Sequence, residues 1–492
     1  MDAYFLKYRK NIIGIDQEII TLFGKSTKLI YADWTASGRS YGPIEKRMQE
    51  EILPFVANTH TEITTTGKGM TYAYHKARSI IKKHVNANPD DILISSNSGM
   101  TGVINKFQRI LGLKIHEKFR DKITLAEEDR PVIFITHMEH HSNQTSWLET
   151  IGDVKIIDPT PEGLVDVAHF KKLLKEYRSR KIKIAAITSC SNVTGVFTPY
   201  HEIAKIIHKE NGYCFVDFAC SAPYININMH PEEPGAHLDA IYFSPHKFLG
   251  GPGSSGILIF NKKLYANSIP DEPGGGTVDW TNPWGQHKYI DNIEDKEDGG
   301  TPSFLQTIRA AMCIRLKEEM GVDNMLKREK ELLTILWDRL SQIKQLHILA
   351  PDQKERLAII SFYIDDLHYN LGVKLLNDKF GIQIRGGCSC AGTYGHYLLH
   401  VDKEYSKQIT DLINIGDYSK KPGWMRVALH PTLTNEEVGF IADSIRSLAN
   451  NHKEWAKDYV IDKVKNRVEY KNAGADSFIT NRIDKCMGKS FA

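Results

Sequence analysis

Between residues 90 and 260, short apolar runs alternate with helical stretches, and this rhythm restricts the chain more than any other feature. The runs at 91–95, 131–136, 154–157, 182–188, 213–216, 238–243 and 257–260 are mostly apolar throughout. Strands buried on both faces of a mainly parallel sheet read this way, whereas half-exposed strands alternate apolar with polar residues. Helical segments fill the intervals. The one at 200–209 stops at Asn211-Gly212, where glycine suits a left-handed cap. This alternation predicts an open α/β sheet, whose ligands bind beyond the carboxyl ends of the strands. A Gly-, Pro- and Asp-rich stretch at 270–302 then breaks the rhythm and reads as long functional loops. Beyond it, 304–344 is helical in composition, followed by strand patterns at 357–363, 383–385 and 424–429 and a helix at 371–380. Thr434 and Glu437 mark the start of a last helix by a capping box. The expected organisation is an N-terminal segment (1–28) packing with a small domain, a large domain (29–302), a small α+β domain (303–449) and a C-terminal extension (450–492).

The 492 residues exceed one minimal domain. A net charge of +3, with Lys and Arg interleaved among Asp and Glu, offers no basic stripe to nucleic acid or an acidic membrane. No apolar stretch approaches the roughly 18 residues of a membrane span. The first residues, MDAYFLKYRKNIIGID, lack the apolar core of a secretory signal. Seven scattered cysteines, an odd number, make poor disulfide arithmetic and fit a reducing compartment, so the cytoplasm is expected.

The segment 239–256, DAIYFSPHKFLGGPGSSG, carries the most chemistry. A buried strand runs into Ser244, His246 and Lys247, and a glycine-rich turn leads to the next strand. A lysine at the mouth of a sheet is partly desolvated, which lowers its pKa and favours Schiff-base chemistry. The adjacent hydroxyl and imidazole suit a phosphate, and the glycines permit close backbone approach. Upstream, YCFVDFAC (213–220) puts Asp217 at a strand terminus, where a carboxylate can keep a pyridinium nitrogen protonated. A lone strand-end aspartate is usually a turn cap, and a lone lysine usually a surface residue. Together they fit the aspartate–lysine pair that pyridoxal phosphate needs.

Read in order, the strings resemble class V aminotransferases of PLP-dependent transferase fold type I, over about 31–448. Within that family the cysteine desulfurase/selenocysteine lyase group is the most similar. YADWTAS (31–37) looks like the family's opening segment, and SGMTGVIN (98–105) like its phosphate-cradling turn, with Met100 and Thr101 at a helix start. The resemblance implies that His140, in MEHHSN (138–143), stacks on the cofactor ring, and that Asn192, in CSNVTG (190–195), lies near its phenolic oxygen. It also implies that Thr301, in GGTP (299–302), reaches the phosphate of a partner subunit, hence a homodimer with shared active sites. Cys220 departs from the pattern: desulfurases usually carry glutamine there, and cysteine is a weak donor.

A second constellation is GIQIRGGCSCAG (381–392), similar to the desulfurase segment in which an arginine ends a strand and a loop cysteine follows. Arg385 and Cys390 match those positions, and Cys388 sits where close relatives have histidine. A thiolate there would attack the substrate sulfur, a nearby guanidinium would favour it, and the glycines would let the loop swing. Cys-x-Cys as half a metal site lacks a second ligand pair, so no metal is expected; an inert tight loop is the other reading. Arg426, in WMRVALH (424–430), matches the family's carboxylate-binding arginine. Asn58 and His60, in ANTH (57–60), look like its N-terminal substrate segment. The implied activity is release of sulfur or selenium from a small amino acid, L-cysteine or L-selenocysteine, through a Cys390 persulfide, with a sulfur-acceptor protein as partner. The open alternatives are another class V reaction (transamination, C–S β-lysis, epimerisation, kynureninase-like cleavage) or a non-catalytic binding protein of the same fold.

Overall fold

The computed structural model describes residues 2–21, 25–59, 61–462, 464–471 and 477–488. They fall into two compact units: Thr35–Asn192 with Val196–Met325, and Met1–Trp34 with Val193–Gly195 and Leu326–Ala492.

The larger unit is built on one seven-stranded sheet. Its strands are β1 (Asp91–Ser96), β2 (Val132–Thr136), β3 (Asp153–Ile157), β4 (Lys183–Thr188), β5 (Tyr213–Asp217), β6 (Ala240–Phe243) and β7 (Gly256–Asn261). These are the seven apolar runs of the sequence. They lie in the order β1-β7-β6-β5-β4-β2-β3, and β7 alone runs antiparallel to its neighbours. Every residue of β2, β4 and β6 is buried, which is why those runs show no polar alternation. Phe107, Trp147, Phe215, Tyr242 and Phe260 fill one face, with Phe107 edge-on to Phe215 at 5.0 Å. Parallel strands end at a common edge: Thr188, Asp217 and Tyr242 lie in register at the carboxyl ends of β4, β5 and β6.

The helix Tyr200–Lys209 ends as expected, but its left-handed residue is Asn211, with φ +54°, and not Gly212. Gly212 is needed for another reason, since a Cβ there would come within 2.5 Å of the Ile207 side chain. The helical stretch after residue 303 is two helices, Phe304–Met320 and Val322–Leu340, separated by Gly321 at φ +75°. The first packs against the helix Thr65–His84 and belongs to the larger unit.

The smaller unit holds an antiparallel sheet of β8 (Leu346–Ile348), β9 (Ile359–Ile364), β10 (Arg385–Gly387) and β11 (Trp424–Ala428), in the order β8-β9-β11-β10. The run expected at 383–385 is split. Ile382–Gln383 pairs in parallel with Ile30–Tyr31, and Arg385–Gly387 pairs with β11. The helices Tyr369–Phe380 and Asn435–Trp455 pack together, and Thr434 and Glu437 form the expected capping box. The segment after 455 closes into a hairpin of β12 (Tyr459–Asp462) and β13 (Arg467–Tyr470), with Tyr459 buried in the core of this unit. Among the described residues no helix is long and apolar enough to cross a membrane.

Candidate active site

In the larger unit, β6 runs out at Phe243 and the chain turns through Ser244 into a single 3₁₀ turn, Pro245–Lys247. Lys247 N donates to Ser244 O at 3.1 Å, and Gly38 N donates to His246 O at 2.9 Å, so residues 37–39 strap this turn. The strap lies so close that a Cβ at Gly38 would sit 1.9 Å from Phe248 O, and the turn folds back on itself so tightly that one at Gly251 would sit 1.9 Å from Pro245 O. Lys247 is thereby half-buried on a fixed backbone. Asp217, the last residue of β5, is 2% exposed and accepts from Ala219 N at 2.7 Å. Burial pushes its carboxyl up to about 6, against the Ala219 N–H and the charge of Lys247, which favour ionisation. His246 is pushed down to about 4 by burial and by Lys247, which leaves its imidazole neutral at pH 7.

The helix Gly99–Ile110 starts beside the same turn: Met100 N donates to Ser244 Oγ at 2.9 Å. Thr101 Oγ1 lies 2.7 Å from Ser142 Oγ, and a Cβ at Gly256 would lie 2.1 Å from Gly99 O. Backbone, hydroxyls and a helix N-terminus thus converge, as a phosphate requires. His140 caps the helix His141–Leu148, its Nδ1 accepting from Ser142 N at 3.1 Å, which fixes the ring's orientation. Asn192 is buried. Cys220 is also buried, and its thiol donates to Ser191 O at 3.6 Å. Asn58 and Thr301 are exposed, and His60 lies outside the described residues. These residues fit pyridoxal phosphate. A buried carboxylate held above its ordinary value is what a protonated ring nitrogen would compensate, and the glycine-lined helix start suits its phosphate.

The layer beneath carries no motif in the sequence. Glu139 is fully buried and receives Thr136 Oγ1 at 2.6 Å, Thr188 N at 2.9 Å and Asn143 Nδ2 at 2.7 Å. Burial still raises its carboxyl to about 7. Asn143 Oδ1 in turn accepts from Tyr242 Oη at 2.6 Å and Trp147 Nε1 at 3.1 Å. This network ties the carboxyl ends of β2, β4 and β6 to the His140 helix. Its only sequence signal was Glu139 and Asn143 one helical turn apart beside the histidines.

In the smaller unit, Arg385 and Arg426 are directly paired across β10 and β11. Both engage Asp33: Arg385 Nε lies 3.1 Å from Oδ2 and Arg426 Nη2 lies 2.6 Å from Oδ1. Two guanidiniums against one carboxylate leave a net positive charge, which suits a carboxylate ligand. Asp33 sits in the string YADWTAS, but its role was not readable there. Past β10, Cys388 is half-buried, Ser389 buried and Cys390 exposed. Ser389 and Cys390 both adopt left-handed backbone, φ +52° and +58°, a conformation that costs an ordinary residue about 1 kcal/mol. Trp424 Nε1 donates to Ser389 Oγ at 3.2 Å and holds the turn. The glycines before it are not the expected swinging hinge. Gly386 and Gly387 are committed to pairing with β11 and packed against Tyr369.

The Aminotransferase class-V family model matches residues 30–440. A protein of Halalkalibacterium halodurans named a probable cysteine desulfurase is 29% identical over 395 residues, 80% of this chain and 89% of its own length. One from Staphylococcus aureus with the same name is 29% identical over 368 residues, 74% of this chain and 83% of its own. Among solved structures, an apo cysteine desulfurase from Thermococcus onnurineus superposes with a TM-score of 0.72 at 22% identity, covering 90% of this chain and 98% of that one. A cysteine desulfurase from Escherichia coli gives 0.68 at 20% identity over 92% and 98%. The fold is therefore that of the PLP-dependent transferases of type I.

Proposed function

The chain belongs to the class-V aminotransferase family of pyridoxal-phosphate enzymes, and from that premise we propose that it is a cysteine desulfurase-like enzyme. It would take sulfur from L-cysteine, or selenium from L-selenocysteine, and leave alanine. The observation that carries this reading is the exposed Cys390, held in a strained turn directly after the Arg385 strand. When bound, the cofactor supplies an electron sink for the electrons released at the substrate Cα.

The chain's own residues supply the rest. Lys247 would hold the cofactor covalently through Nζ and, once displaced by the substrate amine, take the Cα proton. Asp217 would keep a proton on the ring nitrogen, and His140 would stack on the ring. The phosphate would lie at Met100, Thr101, Ser244 and His246, and Asn192 and Cys220 by the phenolic oxygen. Arg426, aided by Arg385, would bind the substrate carboxylate, with Asn58 and His60 as further substrate contacts. The Cys390 thiolate would attack the substrate sulfur: the Cβ–S bond breaks, an S–S bond forms on Cys390, and alanine leaves after protons return to its carbon. A sulfur-acceptor protein would then take the persulfide sulfur. Thr301 is read as reaching the phosphate of a second copy. All seven cysteines are free thiols, which suits a reducing compartment such as the cytoplasm.

The test is turnover of L-cysteine and L-selenocysteine by wild type and Cys390→Ala, with sulfide, selenide, alanine and keto acid followed together. Loss of sulfide and alanine formation in the variant is expected. Undiminished turnover would sink the persulfide step. Keto acid as the main product would instead favour transamination, the reading that Cys220 in place of glutamine keeps open.

A further inference from the structure

The hairpin β12–β13 lies beyond the 30–440 family match, yet its bonds lead to the cysteine loop. At its turn, Asn466 adopts a left-handed backbone, φ +55°. Its Oδ1 accepts from Tyr369 Oη at 3.2 Å and Asn370 Nδ2 at 2.9 Å, and its own carbonyl accepts from Asn370 Nδ2 at 2.9 Å. Val464 O accepts from Tyr418 N at 2.9 Å, which ties the turn to the segment before β11. At the far end, Tyr459 Oη donates to the buried Asp378 at 2.8 Å. The hairpin is therefore anchored at both ends.

Tyr369 carries the contact onward. Its ring is 6% exposed and lies under the base of the cysteine loop. A Cβ at Gly423 would meet that ring at 2.6 Å, one at Gly386 at 3.2 Å and one at Gly387 at 3.9 Å. Gly387 has φ +109°, a conformation side chains rarely adopt, and a Cβ at Gly386 would crowd both this ring and Val373, so both positions favour glycine. Burial raises the Tyr369 hydroxyl, the Asn466 hydrogen bond works against that rise, and the Cys388 thiol adds to it. The order of contact is hairpin turn, Tyr369, paired glycines, Cys388, Cys390. Burial and stacking on His368 at 4.3 Å hold the ring, and the bond from its hydroxyl to Asn466, itself held by Asn370, fixes where the far end of the side chain sits.

We infer that the carboxy-terminal hairpin is a clamp on the cysteine loop, with Asn466 the positioning residue that sets how Cys390 is presented to a sulfur-bearing substrate. This rests on the reading of Cys390 as the sulfur acceptor. Two variants of the full-length, cofactor-loaded protein separate the side chain from the turn. Asn466→Gly keeps the left-handed backbone and removes the acceptor oxygen. Asn466→Asp keeps an acceptor for both Tyr369 and Asn370.

Three readouts are taken on each: kcat and KM for alanine formation from L-cysteine, cofactor content, and the rate of Cys390 alkylation by iodoacetamide followed by mass spectrometry, with exposed Cys486 as internal control. For Asn466→Gly the expected result is kcat lower by about tenfold, the scale of a catalytic group displaced by a fraction of an ångström. KM and cofactor content should be unchanged, and the Cys390 alkylation rate should change at least threefold while Cys486 does not. Asn466→Asp should match wild type. Wild-type kcat and alkylation in Asn466→Gly overturn the clamp, and so does an Asp variant as impaired as the Gly variant. Should Cys390→Ala turn over L-cysteine normally, the desulfurase reading fails, and the alkylation rate still decides the clamp.

Discussion

Asp217 closes a strand that is covered on both faces, and the loss of water there raises its carboxyl to about 6. Without cofactor, the folded chain keeps the Asp217 proton up to about that pH, whereas an unfolded chain releases it near about 3.9. Asp217 therefore costs nothing below about pH 4, lowers stability as pH rises through 6, and imposes its full cost above. Asp217→Asn should make the cofactor-free protein more stable at pH 8 by on the order of 3 kcal/mol, a gain that shrinks toward pH 4. Melting temperatures of the two apoproteins across that range test this, and a pH-independent difference would refute it. Asp33 is the opposite case, a carboxylate whose worth lies in its partners. Asp33→Ala would leave Arg426, whose side chain is 3% exposed, without this counter-ion. Loss of a buried partner typically costs about 3 kcal/mol, so the denaturation midpoint should fall, and KM for an amino-acid substrate should rise. Asp33, like Glu139 and Asn143, was hidden in the sequence because a single polar residue shows its role only through partners far along the chain. Lys247 and Asp217 were conspicuous because each follows a run of apolar residues that must be a buried strand.

Elements were more readable than single contacts. The seven strands stand where the seven mostly apolar runs stand, and the fully buried β2, β4 and β6 show why: burial on both faces leaves little room for polar residues. Glycines read less well, since one letter serves two purposes. Gly212 was expected to supply a left-handed cap and instead permits close packing, while Asn211 takes the cap. Gly386 and Gly387 were expected to form a hinge and instead pair with β11. The same logic yields a test in the lysine turn. A Cβ at Gly251 would sit 1.9 Å from Pro245 O and 2.8 Å from Phe248 O, both of them backbone atoms that cannot rotate aside. Gly251→Ala should therefore displace the 3₁₀ turn that carries Lys247 while leaving the sheet intact. The expected outcome is at least a tenfold loss of cofactor retained after gel filtration, with the far-ultraviolet circular dichroism unchanged. Wild-type retention would mean that the turn tolerates rearrangement and does not position Lys247.

At the scale of the whole molecule, one exposed apolar segment bears on the proposed dimer. Leu53, Phe55, Val56, Ile63 and Tyr72 are 43–96% exposed, all within one short part of the larger unit. Scattered apolar residues need no explanation, but this density along one segment suits an interface. A twofold dimer is the commonest way to cover such a surface, because one patch covers its equivalent. It would also give a purpose to Thr301, which is exposed in its own chain and is proposed to meet the phosphate of the other. The two ideas make a joint expectation: breaking the dimer should weaken cofactor binding without touching Lys247. The wild type is expected to sediment at twice the 55.8 kDa chain mass. Phe55→Asp combined with Ile63→Lys places charge on residues 51% and 96% exposed in the single chain, so the monomer should still fold. That variant should sediment at the single-chain mass and lose cofactor on dilution, with its melting temperature as apoprotein close to that of dissociated wild type. A wild type that sediments as one chain while fully loaded would refute the shared site, because each chain would then complete its own phosphate cradle.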